Sequence, residues 1–461
     1  MKKITSAFLF FTLLTLVSCT SYNEPLQEER VQIEQSMPNP PQIGLNFIAV
    51  NLNKAPGKKA MDLGIYDDPS WLISEFEDLG VQMFRQSTEA DLSWKNIQPK
   101  EEIWRFETPD SMLEASPFGP IATLFAMQYA SPTPPWETDP SQFQKTLGLE
   151  AKVYLDAVLD RYADEITYWE IGNEMDHWRA GDPNQSGPRP QGGEDVPLHA
   201  PLDGFSPYEQ GVFLAQVSEY IKSKDPDAVI VLPGMSGIAD YTLDVWLEGV
   251  IEGGGPDFFD IMNYHYYSEY MGFERAREKL EKKLEELGLE DKAVWLTETG
   301  VSSDPTLTQR TDYPNSEDTQ ASDVFRRLIQ AYASGDSLVL WHSHIGFSDE
   351  GSQGDWRAYG LRKSTGEMKK AWYTFKLFSE ELIPFKAVEK MASPQKDQYL
   401  YKISFEGSNE YKYIAWGEGS LSIPQGITLY ASVVFEGSNP KWMSTEDQLK
   451  LSLSEVPLLL K

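Results

Sequence analysis

The sequence predicts an α/β protein: a (β/α)8 TIM barrel carrying a small C-terminal antiparallel β-sandwich. Three observations predict it. Eight short apolar runs alternate with helix-patterned segments, the connections are tight before the runs and long after them, and beyond residue 382 the pattern changes to residue-by-residue alternation. With 461 residues the chain is long enough for both parts.

The apolar runs fall at 43–50, 81–85, 121–128, 166–171, 228–232, 258–264, 293–297 and 337–341. Helical patterns lie between them, at 69–79, 210–224, 273–287 and 318–333 among others. Strand followed by helix, repeated, implies a parallel sheet, and eight such units close most naturally into a barrel spanning 42–382; a doubly wound open sheet is the alternative. Entry to the strands is short, as at 79–81 and 288–292, whereas the exits at 177–207, 299–316 and 343–360 are long and rich in Gly and Pro. Long exit loops put the working face at the C-terminal ends of the strands. The segment 273–287 is densely charged, but its apolar positions recur at helical spacing, so it reads as a helix with a solvated outer face. After a last helix at 367–382, residues 383–461 alternate as short strands do, with Phe-Glu-Gly-Ser-Asn turns at 405–409 and 435–439. The flanks of the two turns differ, so the same turn chemistry is used twice without a domain repeat.

Ahead of the barrel, Lys2 and Lys3 precede an apolar stretch at 7–17 and then Ser18-Cys19. That stretch is too short to span a bilayer and fits an export signal over residues 1–18. Leu16-Val17-Ser18-Cys19 resembles the lipobox of bacterial lipoproteins, which implies lipidation at Cys19 and a place in the cell envelope, at the outer membrane or cell surface; an ordinary signal peptide is the alternative. Residues 19–41 are polar and contain prolines, as a flexible tether between anchor and folded body would. Cys19 is the single cysteine, so the exported chain folds without disulfides. A formal net charge of −31 argues against nucleic acid and polyanionic partners, and membrane attachment is expected through the lipid alone.

The stretch 168–178, YWEIGNEMDHW, holds three carboxylates where the fourth strand should end. Glu174, after Ile171-Gly172-Asn173, stands where barrel enzymes keep an acid, base or nucleophile, although a salt bridge would explain it equally well in isolation. Glu298 supplies a partner at the end of the seventh strand, in AVWLTETG. Hydrolysis of a glycosidic bond needs two carboxyl groups, one protonated to assist the leaving oxygen and one ionised to attack the sugar carbon or activate water. Strands four and seven face one another across part of a barrel mouth, so both groups can converge on one bond.

At these residues the chain resembles the clan A glycoside hydrolases, retaining (β/α)8 enzymes that include families 5, 39 and 51. In that group an Asn-Glu pair ends strand four with the Glu as acid/base, and a Glu ends strand seven as nucleophile; Asn173-Glu174 and Glu298 match. Arg85 at the end of strand two, His265-Tyr266-Tyr267 as the His-x-Tyr of strand six and Trp341 at strand eight match as well, and the β-sandwich is similar to that of families 39 and 51. The resemblance implies an O-glycosyl hydrolase acting on a poly- or oligosaccharide by double displacement, without cofactor. Glu298 is then the ionised nucleophile, supported by Arg85 and the Tyr267 hydroxyl, Glu174 gives and later retrieves the proton, and Asn173 holds the sugar 2-hydroxyl.

Trp94, Trp136, Trp178, Trp341 and Trp356 lie at or after strand ends, where ring faces can stack on sugars, and Trp341 is the favoured platform; Trp295 lies within a strand and reads as core. Four of the five histidines, His177, His265, His342 and His344, also cluster at strand ends. His342-x-His344 has metal-ligand spacing, but the first strand has neither His nor Asp, so no metal is expected and the histidines, His265 above all, are read as hydrogen-bonding groups. Glu170 is read as a buried residue beneath the site, and Asp176 as a loop cap or a subsite contact. Two alternative readings fit the same sequence: a glycan-binding lipoprotein without catalysis, and a metal-dependent hydrolase on the same fold.

Overall fold

The computed structural model describes residues 41–461 apart from 50–69, 89–91, 116–119, 126–132, 138–141, 143, 178–205, 308–313, 347–357, 364–365, 393–396, 438 and 447–449. Cys19, the export signal, nearly all of the tether, Trp178 and Trp356 lie outside the described residues, as does the side chain of His177.

Eight parallel strands follow one another around a closed barrel: β1 Gln42–Ala49, β2 Met83–Thr88, β3 Pro120–Thr123, β4 Tyr168–Glu170, β5 Val229–Val231, β6 Ile261–Tyr266, β7 Ala293–Thr299 and β8 Leu338–His342. β8 pairs back onto β1, with Ile43 opposite Val339, which excludes the open sheet. Nine helices are described: α1 Ser70–Asp78, α2 Trp94–Ile97, α3 Glu107–Ala115, α4 Leu149–Tyr162, α5 Pro207–Lys224, α6 Glu248–Gly254, α7 Phe273–Leu287, α8 Glu317–Ala333 and α9 Lys370–Leu382.

Period-two alternation sorts the strand residues. Met83, Ile121, Val231, Ile261, Trp295, Leu338 and Leu340 form a plug inside the barrel. Their neighbours Phe84, Ala122, Ile230, Met262, Leu296, Val339 and Trp341 belong to the larger core between strands and helices. The same alternation carries polar residues to the mouth one step beyond the plug, where Arg85 follows Met83 and Asn263 follows Ile261. α7 buries Phe273, Arg277, Leu280, Lys283 and Leu284 at helical spacing and ends on Gly288 in the left-handed region, φ 67°, a conformation glycine adopts without cost.

The C-terminal region contributes β9 Ala387–Lys390, β10 Gln398–Ser404, β11 Tyr411–Gly417, β12 Ser420–Ser422, β13 Leu429–Ser432, β14 Met443–Ser444, β15 Lys450–Ser452 and β16 Leu458–Leu460. Six of these strands make an antiparallel sheet in the order β14-β13-β16-β11-β10-β9, and β12 pairs with β15 beside it. Between the two layers lie Ala415, Leu421, Ile427, Leu451, Leu453 and Leu460. The outer face of the large sheet packs on the barrel helices. The Trp416 ring stacks on Tyr399 at 4.8 Å and Tyr401 at 5.4 Å, the Tyr401 hydroxyl donates to Glu274 of α7 at 2.6 Å, and Arg326 of α8 reaches Glu455 at 3.2 Å.

Candidate active site

The mouth is organised from below by Glu170, which is fully buried at the end of β4. A carboxylate out of water needs its lone pairs filled, and Glu170 accepts five hydrogen bonds: Arg85 Nε at 2.5 Å, Arg85 Nη2 at 3.0 Å, Thr123 Oγ1 at 3.2 Å, the Gly234 amide at 3.0 Å and Asn263 Nδ2 at 2.9 Å. Asn263 is itself oriented by Thr297 Oγ1, which donates to its Oδ1 at 2.7 Å. The guanidinium of Arg85, 1% exposed, is therefore fixed in one orientation. Its remaining donors point upward, Nη1 to Glu298 Oε1 at 2.6 Å and Nη2 to Asn173 Oδ1.

Glu298 reaches the mouth although Thr297 beside it also points inward. The β6–β7 register slips between Tyr264 and His265, and the β7–β8 register slips between Leu296 and Thr299. Such an irregularity lets two consecutive residues face the same side and re-aims the strand end. The second carboxylate oxygen of Glu298 accepts from the Tyr267 hydroxyl at 2.7 Å and lies 3.6 Å from His265 Nδ1. Burial raises the Glu298 carboxyl, but His265, Arg85 and the Tyr267 bond outweigh it and hold the group well below the usual carboxylate range. The Tyr267 hydroxyl, pushed far up by burial and by Glu298, stays protonated as a donor.

Glu174 sits just past β4 with φ 47°, the one positive value for a non-glycine among the described residues. That conformation costs about 1–3 kcal/mol. It is held by the Glu174 amide donating to the Gly234 carbonyl at 2.8 Å and by a bridge between Asn173 and Gly234. His265 Nδ1 lies 2.9 Å from Glu174 Oε1 and so serves both carboxylates. Burial would lower the pKa of this ring; Glu298 and Glu174 reverse that and raise it. Room for the ring comes from Gly234, where a Cβ would lie 2.2 Å from His265 Nε2. One ligand-type atom from each of Glu174, His265 and Glu298 lies within 4.8 Å of the others. By distance alone that trio would suit a cation. Arg85 and Tyr267 already occupy both oxygens of Glu298, however, and a guanidinium 2.6 Å away opposes a second positive charge.

Six residues named from sequence, Arg85, Asn173, Glu174, His265, Tyr267 and Glu298, thus meet at one mouth. Trp341 does not, and its reading as a substrate platform is corrected. β8 alternates with Leu338, Leu340 and His342 inward, so Trp341 points outward, fully buried, with Nε1 on the Tyr359 carbonyl at 3.3 Å. His342 takes the mouth position in its place. Trp94 is likewise core: it is 2% exposed, its ring stacks on Tyr154 of α4 at 5.4 Å, and Nε1 donates to Gln98 at 2.9 Å. Trp136 is half-buried, edge-on to Trp94 at 6.0 Å. His177 closes a short 3-10 turn, Met175–His177. Asp176 caps a loop, accepting from the Ser236 amide and hydroxyl at 2.9 and 2.6 Å.

His342 and His344 do not converge. The strand ends at His342, and His344 turns away to Glu75 of α1 at 3.2 Å. Glu75 also accepts from Arg362 at 2.6 and 2.8 Å and from the Trp372 indole at 2.6 Å. Burial raises this carboxyl, but the bonds from His344 and Arg362 lower it to about 2, so this buried hub ties α1 to α9. Tyr359, not singled out from sequence, stands 5.5 Å from the Tyr267 ring and 6.0 Å from His342, and completes the aromatic wall beside Glu298.

No protein-family model and no curated protein matches the chain. Solved structures do. A family 39 glycoside hydrolase from the gut symbiont Bacteroides cellulosilyticus WH2 superposes with TM-score 0.63 at 17% identity, covering 91% of this chain and 81% of that one. The chain has the fold of a glycoside hydrolase. A family 39 β-xylosidase from Caulobacter crescentus (TM-score 0.56, 13% identity, 92% of this chain and 97% of that one) and a family 51 α-L-arabinofuranosidase from Bifidobacterium longum (0.55, 11%, 91% and 95%) share it. At these identities the likeness is one of fold, and it spans both the barrel and the appended sheet.

Proposed function

We propose that the protein is a retaining glycoside hydrolase in which Glu298 is the nucleophile and Glu174 the acid/base. The observation that carries this reading is the pair itself: two carboxylates with oxygens within 4.8 Å of one another at the barrel mouth, in different electrostatic settings. Separations near 5 Å suit attack by one carboxylate on the sugar, whereas about 6.5–9.5 Å leaves room for an intervening water. Glu298, held ionised by Arg85 and Tyr267, attacks the anomeric carbon. Glu174 passes its proton to the leaving oxygen, and the sugar remains as an ester on Glu298. Glu174, now a carboxylate, takes a proton from water, which attacks the same carbon and releases Glu298. Asn173 has its carbonyl committed to Arg85, so its amide N–H groups face the mouth and can donate to a sugar hydroxyl.

The substrate we infer is a poly- or oligosaccharide of neutral sugars. Among the described residues the mouth presents the carboxylates of Glu174 and Glu298 above the buried Glu170–Arg85 pair, which disfavours a uronate at the reacting position. Two of the structural neighbours are named for pentose-releasing activities, which puts pentosides alongside hexosides in the set to screen. Export and lipid attachment through Cys19 complete the proposal and place the enzyme where extracellular glycans are met.

Glu174→Ala tests the acid/base role. On a natural glycoside kcat/KM should fall by about 10²–10⁴-fold, and by much less on an activated aryl glycoside whose leaving group needs no proton. Equal losses on both substrates would remove Glu174 from that role. Gly234→Ala should keep the fold but displace the His265 ring, with a loss on the order of 10²-fold in kcat/KM; unchanged kinetics would show that the ring's position is immaterial.

A further inference from the structure

His342 lines the mouth but takes no part in the proton and bond transfers at Glu174 and Glu298. It is 7% exposed, and its Nδ1 is enclosed and has no hydrogen-bond partner among the described residues. That nitrogen lies 3.9 Å from Glu298 Oε2, the oxygen that already accepts from Tyr267. Nε2 makes no hydrogen bond to the described residues and is not among the enclosed atoms, so it is accessible, on a residue that the alternation of Leu338 and Leu340 turns inward at the end of β8. The ring is held edge-on by Tyr267 at 5.8 Å and by Tyr359 at 6.0 Å. Gly300 makes this packing possible, since a Cβ there would lie 2.6 Å from the His342 carbonyl and 3.1 Å from the Tyr359 ring.

A proton on Nδ1 faces the Glu298 carboxylate favourably, whereas a lone pair there would face negative charge at 3.9 Å. The tautomer with Nδ1 protonated follows, and it leaves Nε2 as an acceptor. Burial, with His265 and Arg85 nearby, outweighs Glu298 and keeps this ring below its ordinary pKa, consistent with a neutral imidazole. The two mouth carboxylates, Glu174 and Glu298, are committed to the reacting centre, and the Asn173 amide is a donor, so Nε2 of His342 offers a neutral acceptor beside them. We propose that His342 is a specificity-determining residue, whose Nε2 accepts a hydrogen bond from one hydroxyl of the sugar held against Glu298. This rests on the hydrolase reading and adds the class of group recognised: an unsubstituted hydroxyl donor, which an O-methyl, O-sulfo or deoxy position cannot replace.

The test uses the full-length protein and 4-nitrophenyl glycosides of neutral pentoses and hexoses, with the monodeoxy analogues of whichever parent is cleaved. For the wild type, one analogue should lose roughly 10- to 100-fold in kcat/KM, the scale of an unsatisfied buried polar group. His342→Phe should lose a similar factor on the parent and be indifferent to that same deoxygenation, and His342→Gln, which restores an acceptor, should recover part of both. If His342→Phe suffers as much as wild type from every deoxygenation, the contact does not exist. Nitrogen-15 NMR of the histidine rings gives a readout independent of turnover: a pyridine-type shift at His342 Nε2 is expected, and one at Nδ1, or an imidazolium, overturns the inference. Should no glycoside be cleaved, the hydrolase reading fails, and the monodeoxy analogues of whichever parent glycoside binds, read as affinity by calorimetry, decide the contact by themselves; no binding to any parent overturns both.

Discussion

Glu298→Gln should reduce kcat on any glycoside the wild type cleaves by at least about 10⁴-fold, on the scale seen when other covalent enzymes lose their nucleophile. The substitution keeps the shape and the Tyr267 contact but removes the charge that Arg85, 2.6 Å away, is placed to hold. The protein should remain folded, because Glu170 continues to neutralise the guanidinium from below. Added azide supplies a small anion for the missing carboxylate, and Glu298→Ala, which leaves space for it, should form the glycosyl azide of inverted configuration. Glu174→Ala should instead give the azide of retained configuration, because there the anion takes the place of water in the second displacement. Residual activity within about tenfold of wild type in Glu298→Gln, measured on protein free of wild-type carry-over, would remove Glu298 from the nucleophile's role.

The second large effect is on stability. Arg85→Met takes away the cation shared by Glu170 and Glu298 and leaves Glu170 charged and fully enclosed. Breaking a buried pair from one side costs about 3–5 kcal/mol, because the surviving charge has no compensation. Urea unfolding should therefore show a lowered midpoint with little change in slope. Pairing it with Glu170→Gln gives a sharper reading. In the double variant Glu170→Gln should cost less than it does in wild type, since there is no longer a guanidinium to strand. Strict additivity of the two losses would mean that Arg85 and Glu170 do not act as a unit.

Much of the barrel was legible because burial on both faces writes each strand as an apolar run, and because loops lengthen only where a strand exits toward the working face. The two glutamates were legible for a related reason: a carboxylate next to small residues at the end of an apolar run has no role in the plug. What pattern reading missed depends on the third dimension. Trp341 and His342 are adjacent, and a strand admits only one of them to the mouth; the inward set of Leu338 and Leu340 decides for His342, and counting by twos along β8 from the plug would have shown it. Trp94 follows a strand, but the ring that covers it comes from Tyr154, on a helix distant in sequence. The five bonds to Glu170 come from β2, β3, the loop after β5 at Gly234 and β6, and no local signal announces Asn263, Thr123 or Gly234 as its partners. The irregular register that brings Thr297 and Glu298 to the same side is likewise absent from any local pattern.

The central claim is that Glu298 becomes covalently attached to the sugar during turnover. Incubation with a 2-deoxy-2-fluoro glycosyl fluoride of the sugar found to be cleaved slows the second displacement and lets the intermediate accumulate. Intact-protein mass spectrometry should then show one glycosyl group per chain, and digestion should place it on the peptide containing Glu298, with no label on Glu298→Gln. A label on another residue, or an enzyme that hydrolyses its substrate with inversion and never acquires a label, would contradict the account.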